Sequence, residues 1–179
     1  MQLSHRAGLI TLLALGAGLA PASAADVEKA AAEFSRGQAL LQSHDFDGAL
    51  AAFAAAVKAN PDDESYRQEH ALLRRIIPLR ARLDKQAKPE KWQSSATALR
   101  SYYVDHGLLD ETLTLDEEAH RRFGDADTAS RLADTQIKLG RDDAAVQTLT
   151  ALPDDRRTPQ VRVQLGIALA HGNRLDEAR

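Results

Sequence analysis

The amino-acid sequence predicts an all-α fold, a solenoid of short antiparallel helical hairpins stacked side by side. Three observations carry that reading. Apolar residues recur at helical offsets in short segments separated by turn formers. Alanine and glycine crowd those segments: they supply ten of the twenty-five residues from Gly37 to Pro61. Small residues also recur at one interval, with Gly107 to Gly140, Ala133 to Gly166 and Ala145 to Ala178 each 33 residues apart.

Composition narrows the class. Hydrophobic residues make up 44% of the 179 and aromatic residues only 4%, so the core is built mainly from Leu, Ile, Val and Ala. The chain has no cysteine, which excludes a disulfide framework and thiolate metal sites. A formal charge of −3 is too mild for a chain that binds nucleic acid as a whole.

Residues 1–24 read as a secretory signal peptide. His5 and Arg6 precede the apolar run "LITLLALGAGLA", and Ala22 and Ala24 occupy the small-residue positions of a cleavage site. The run is short for a membrane span, which needs about 20 apolar residues. Cleavage near Ala24 removes Arg6 and no acid, leaving −4. The expected location is therefore the periplasm or the exterior.

Residues 25–63 read as a first hairpin. A helical pattern from near Val27 ends at Leu40 and Leu41, and "SHDFDG" turns the chain. Ala49, Leu50, Phe53, Ala56 and Val57 then mark one face of a second helix, which Pro61 terminates. Neither helix can bury its apolar face alone. Gly37 and the alanines sit where the two backbones approach most closely.

Residues 64–89 break the rhythm. Leu72, Ile76, Leu79 and Leu83, with Leu73 and Ile77 beside them, predict one helix from about Glu64 to Lys85. Pro78 lies inside it and is expected to kink it. "KQAKPEKW" supplies a loop, and Pro89 opens the next helix. Eight basic residues and three acids fall between Arg67 and Lys91, whereas eight acids and two basic residues fall between Asp105 and Asp127. The functional reading is a basic helix that meets a membrane or a cell-wall polymer. The ordinary reading, favoured here, is that the two runs face solvent or each other.

Residues 90–179 read as further hairpins, the last one incomplete. Turns are expected at His106–Leu108, Leu139–Asp142 and Gly172–Asn173, with Ala119, Ala133, Ala145, Gly166 and Ala178 among the packing positions. Trp92, Ala96, Leu99 and Tyr103 share a core stripe, and Asp116 stands where Phe53 stands in the first unit. Val163, Leu165, Leu169 and Leu175 form an apolar face on the last unit.

Gly37, Leu40, Ala49, Phe53, Ala56 and Pro61 together resemble the tetratricopeptide repeat, a 34-residue helix–turn–helix unit. The resemblance covers roughly residues 26–63 and 90–179. It departs from the family at Glu33, Arg36 and Leu40, where tryptophan, leucine and tyrosine are preferred. What it implies is a right-handed superhelical solenoid whose concave face binds a protein or peptide. On that face the first helix of each hairpin lines the groove. The groove residues are then Thr97, Ser101, Val104 and Asp105. Their equivalents are Ser130, Asp134, Ile137 and Lys138, then Val163, Ile167, Ala170 and His171. The Lys/Asn cluster that clamps a peptide carboxylate in some family members is absent.

Catalytic motifs are scarce: no H-E-x-x-H, G-x-S-x-G or glycine-rich phosphate loop occurs. His44, His106 and His171 fall at first-helix ends, where an imidazole complements the helix dipole. No catalytic, cofactor or metal residue is therefore assigned. The expected function is an exported scaffold, non-enzymatic. The alternative is a non-catalytic arm of a larger exported enzyme or envelope assembly continuing beyond Arg179.

Overall fold

A computed structural model describes residues 23–83, 85 and 88–174. The signal-peptide reading of residues 1–22, together with Leu175 and Ala178, lies outside the described residues. Eight α-helices follow one another, and the described residues contain no strand. They are α1 (Ala24–Gln42), α2 (Phe46–Ala59), α3 (Glu64–Leu83), α4 (Pro89–Asp105), α5 (Leu109–Phe123), α6 (Ala126–Lys138), α7 (Asp142–Thr150) and α8 (Pro159–His171). A single 3₁₀ turn, Asp154–Arg156, joins the last two. Each helix packs on the next, and α6 also packs on α8. This is the expected all-α stack of hairpins.

One turn design recurs. His44, Gly107, Gly140 and Asn173 all adopt left-handed backbone, with φ between 57° and 69°. In each case the amide of that residue bonds the carbonyl three back, and the next amide bonds the carbonyl five back. That pair of bonds closes the last turn of α1, α4, α6 and α8 alike, satisfying carbonyls the helix leaves free. The last three turn residues lie 33 positions apart in sequence. Glycine and asparagine accept the left-handed region readily. His44 does so at a steric cost, and its ring reaches Glu111 on α5, 3.1 Å from Nδ1 to Oε1.

Helix starts are specified locally. Ser23 and Asp26 cap each other's backbone at α1. Asp45, Asp125 and Thr158 accept first-turn amides of α2, α6 and α8. Arg157 reaches back to the carbonyls of Thr150 and Leu152, filling the free acceptors after α7. α3 runs through Pro78 as one helix.

The apolar core divides in two. The first cluster spans α1 to α5 and includes Leu41, Phe53, Leu73, Ile76, Trp92, Leu99 and Tyr103. The second spans α6 to α8 and includes Ala133, Ala145, Leu149, Val161 and Leu169. Gly37 lies directly under Phe53: a Cβ there would sit 2.4 Å from the ring, so only glycine fits. Ala49, Ala56, Ala133 and Ala145 are fully buried, as their close-approach role requires. Gly166 differs, for a Cβ there would meet no described atom within 4 Å. By the 33-residue interval it is the counterpart of Ala133, and Ala178, the counterpart of Ala145, lies outside the described residues.

Two expectations about apolar faces are corrected. The inward row of α3 is Leu73, Ile76 and Leu83, and Leu72 stays 44% exposed. Leu72 shares its side of α3 with Leu79 and Leu83, so its exposure is set by its place along the helix and not by its angle. On α8, Leu169 is buried and Leu165 packs against the second cluster, so Val163 and Ile167 form the open apolar face.

Candidate functional site: the first-helix face and the seam beneath it

α4, α6 and α8 are the first helices of successive units, and their exposed residues form the candidate surface. Thr97, Ser101, Val104 and Asp105 are exposed on α4. Thr97 donates back to the carbonyl of Gln93 at 2.9 Å, and Ser101 donates to Asp105 at 3.3 Å. On α6, Lys138 pairs with Asp134 at 2.8 Å, and both remain accessible. On α8, Val163 is 62% exposed and Ile167 42%, the most open large apolar pair on these helices. His171 Nδ1 lies 3.4 Å from Asp142 Oδ1 on α7.

Ser130 does not belong to this surface. It is buried, its hydroxyl donates to Gln164 Oε1, and Gln164 donates back to the Ser130 carbonyl at 3.2 Å. The 33-residue equivalence places it beside Thr97 and Val163. α6 and α8 nevertheless pack closely at that level, and the hydroxyl is consumed in joining them.

Beneath the surface, where the two apolar clusters meet, lies a polar seam that sequence reasoning missed. Asp116, 2% exposed on α5, accepts from Arg100 Nε at 2.8 Å and from the Thr135 hydroxyl at 2.8 Å. The Arg100 guanidinium also lies 4.0 Å from Asp134. One arginine of α4 is thus held by α5 and α6 together. Burying the carboxylate is costly, and two charge-assisted bonds offset that cost. The available signal was Asp116 itself: an acid on a core stripe demands a cation, and Arg100 stands next to the buried Leu99.

The seam opens into a narrow, solvent-facing cleft lined by Gln93, Thr97, Arg100, Asp116, Thr128 and Arg131 among others. Trp92 forms part of its floor. Its ring packs on Phe123, the Arg122 guanidinium lies 4.7 Å from it, and its buried Nε1–H finds no acceptor among the described residues. Of the residues expected in the groove, Thr97 lines this cleft with Arg100, and Asp134 lies 4.0 Å from the same guanidinium.

A second constellation could be mistaken for a catalytic one. Glu69 on α3 accepts from Tyr102 Oη at 3.0 Å and lies 2.9 Å from His106 Nε2, in a cleft with Gln38, Gln42 and Asp105. Burial works to raise the Glu69 carboxyl, yet the His106 and Tyr102 bonds outweigh it and hold the group below its ordinary value. The bond to Glu69 raises His106, against its burial. Burial, then the Glu69 charge, push the Tyr102 phenol up. His106 Nδ1 faces the Tyr102 carbonyl at 2.7 Å, so both ring nitrogens must donate. An imidazolium with both protons committed has no lone pair for a general base. The cluster therefore ties α4 to α3. Among the described residues no group of three or more His, Asp or Glu is arranged to hold a metal ion. No described helix is long and apolar enough to cross a membrane.

No family model matches the chain, and no curated protein does. Among solved structures, a mutant form of MamA is similar at 17% identity and a TM-score of 0.47, covering 86% of this chain and 93% of that one. A crystal structure of MamA is similar at 17% identity and a TM-score of 0.43, covering 84% and 86%. At that level neither carries a role over to this chain, and the architecture stands on its own hairpins.

Proposed function

We propose that the chain is an exported, tetratricopeptide-like scaffold that binds a protein or peptide segment along α4, α6 and α8. One observation carries this reading. On three successive first helices, Val104, the Asp134–Lys138 pair and the Val163–Ile167 pair stay open. The stripes beside them (Trp92, Leu99 and Tyr103; Ala129 and Ala133; Val161 and Ala168) are buried. Small, spaced apolar contacts around a charged pair suit an extended or helical segment with one apolar side and a few polar groups. The turn bonds fix the spacing of those contacts, so little ordering is needed on this side of the complex.

The test selects peptides from a displayed library on the full chain and compares affinities of variants. Val163→Asp with Ile167→Asp should weaken a selected peptide by about tenfold or more, in keeping with loss of buried anchors. Asp134→Asn with Lys138→Glu should weaken it with little change in stability. A peptide bound equally well by both double variants overturns the reading.

A further inference from the structure

The outer face of α3 carries Arg67, Arg74, Arg75 and Arg82, followed by Lys85 just past the helix end, and all five are exposed. At 100° per residue these positions fall on one side of the helix, and from Arg67 to Arg82 the row runs about 22 Å. Among the described residues Arg74, Arg75, Arg82 and Lys85 make no side-chain hydrogen bond or salt bridge, and Arg67 acts only through space on Asp63. The expectation that the basic and acidic runs face each other holds at one place. Arg80, on the opposite side of α3, bonds Glu111 at 3.0 Å and sits 4.4 Å over the Phe46 ring. Glu69 is likewise turned inward, to His106. Glu64, at the N-terminal end of α3, is the one acid of the helix on the outer side, and from Arg67 onward that side carries cations.

We propose that this outer face of α3 docks on the anionic phospholipid surface of a membrane, lying along it. This goes beyond the peptide-binding face, which uses other helices. A row of four to eight cations on one helix face is the pattern anionic headgroups attract, each cation adding to the affinity. Leu72, exposed at the edge of the row, and Pro78 within it supply apolar contact at headgroup depth. Phosphodiester grooves offer no use for those two side chains, which is why lipid is favoured over nucleic acid. The arginine stems can lie along the interface while their heads meet phosphate.

The experiment is sedimentation of the full chain with phosphatidylcholine vesicles, with and without phosphatidylglycerol. Any binding through residues 9–20 is common to both kinds of vesicle, so the α3 contribution is read as the difference between them. Arg74→Glu with Arg75→Glu should shrink that difference about tenfold or more, with helix content by circular dichroism unchanged. The charge-matched Lys29→Glu with Lys58→Glu, on exposed positions of α1 and α2, should change it little. Leu72→Ser should weaken binding to the anionic vesicles alone. Equal loss in the two charge-matched variants, or no preference for phosphatidylglycerol, overturns the proposal. So does an α3-dependent binding to duplex DNA or polyglutamate with none to lipid.

Discussion

Replacing Arg100 by methionine strips the polar seam of its cation and leaves Asp116 buried, with only the Thr135 hydroxyl as a donor. Removing one partner of a buried pair typically costs about 3–5 kcal/mol, because the remaining charge has lost its compensation. The two halves of this pair are not equivalent. Asp116 is 2% exposed, whereas 22% of the Arg100 side chain reaches solvent and Asp134 lies 4.0 Å away. Arg100→Met should therefore fall at the upper part of that range. Asp116→Leu, which leaves a guanidinium that water and Asp134 can still serve, should cost about 2–3 kcal/mol. The double variant Arg100→Met with Asp116→Leu removes both charges. It should recover most of the loss, since an apolar replacement of such a pair is often neutral or stabilising. Urea unfolding of all four proteins gives the double-mutant cycle. Additive losses would refute the seam as a coupled buried pair, as would an Arg100→Met cost below about 0.5 kcal/mol.

Other outcomes follow from single contacts. Gly37→Ala drives a methyl into the Phe53 ring and should cost about 1–3 kcal/mol in chemical denaturation, whereas Gly166→Ala should be neutral or stabilising by up to about 1 kcal/mol. Asp125→Ala removes the cap that accepts the Thr128 amide at 2.8 Å and should lower stability by about 1 kcal/mol. His106 has a raised folded pKa, so its pairing with Glu69 contributes fully below the unfolded value near 6.5 and fades as pH rises through the folded value. The lowered Glu69 carboxyl loses its contribution only as pH falls through its own folded value. His106→Gln should therefore flatten the decline in melting temperature as pH rises above about 6.5, and an unchanged pH profile would remove the pair from the account.

Much of the architecture was legible because the repeat uses the smallest residues where geometry is tightest. Gly37 under Phe53 and the four buried alanines leave a pattern that only close helix packing explains. Gly107 and Gly140 mark left-handed turns in the same way. The third equivalent turn uses Asn173, where "GN" pointed to the turn but not to which residue carries it. What escaped were the contacts between helices distant in sequence. Nothing local to Arg100 says that Asp116 and Thr135 will close on it, and Ser130 reads as a surface hydroxyl until α8 packs against it. His106 was legible as a helix-end residue, yet its partner, 37 positions earlier on α3, was not. Periodicity gives each residue's side of its own helix. It does not give how far along a helix its neighbours reach, which is why Leu72, on the same side as Leu83, was placed inside and lies outside.

The peptide-binding face is tested most directly by backbone amide chemical shifts of the isotopically labelled chain, recorded as a library-selected peptide is titrated in. Perturbations should concentrate at residues 97–105, 134–138 and 163–171, on three helices far apart in sequence and adjacent in the stack. Perturbations confined to α1, α2 or α3, or spread without preference over the surface, would contradict it.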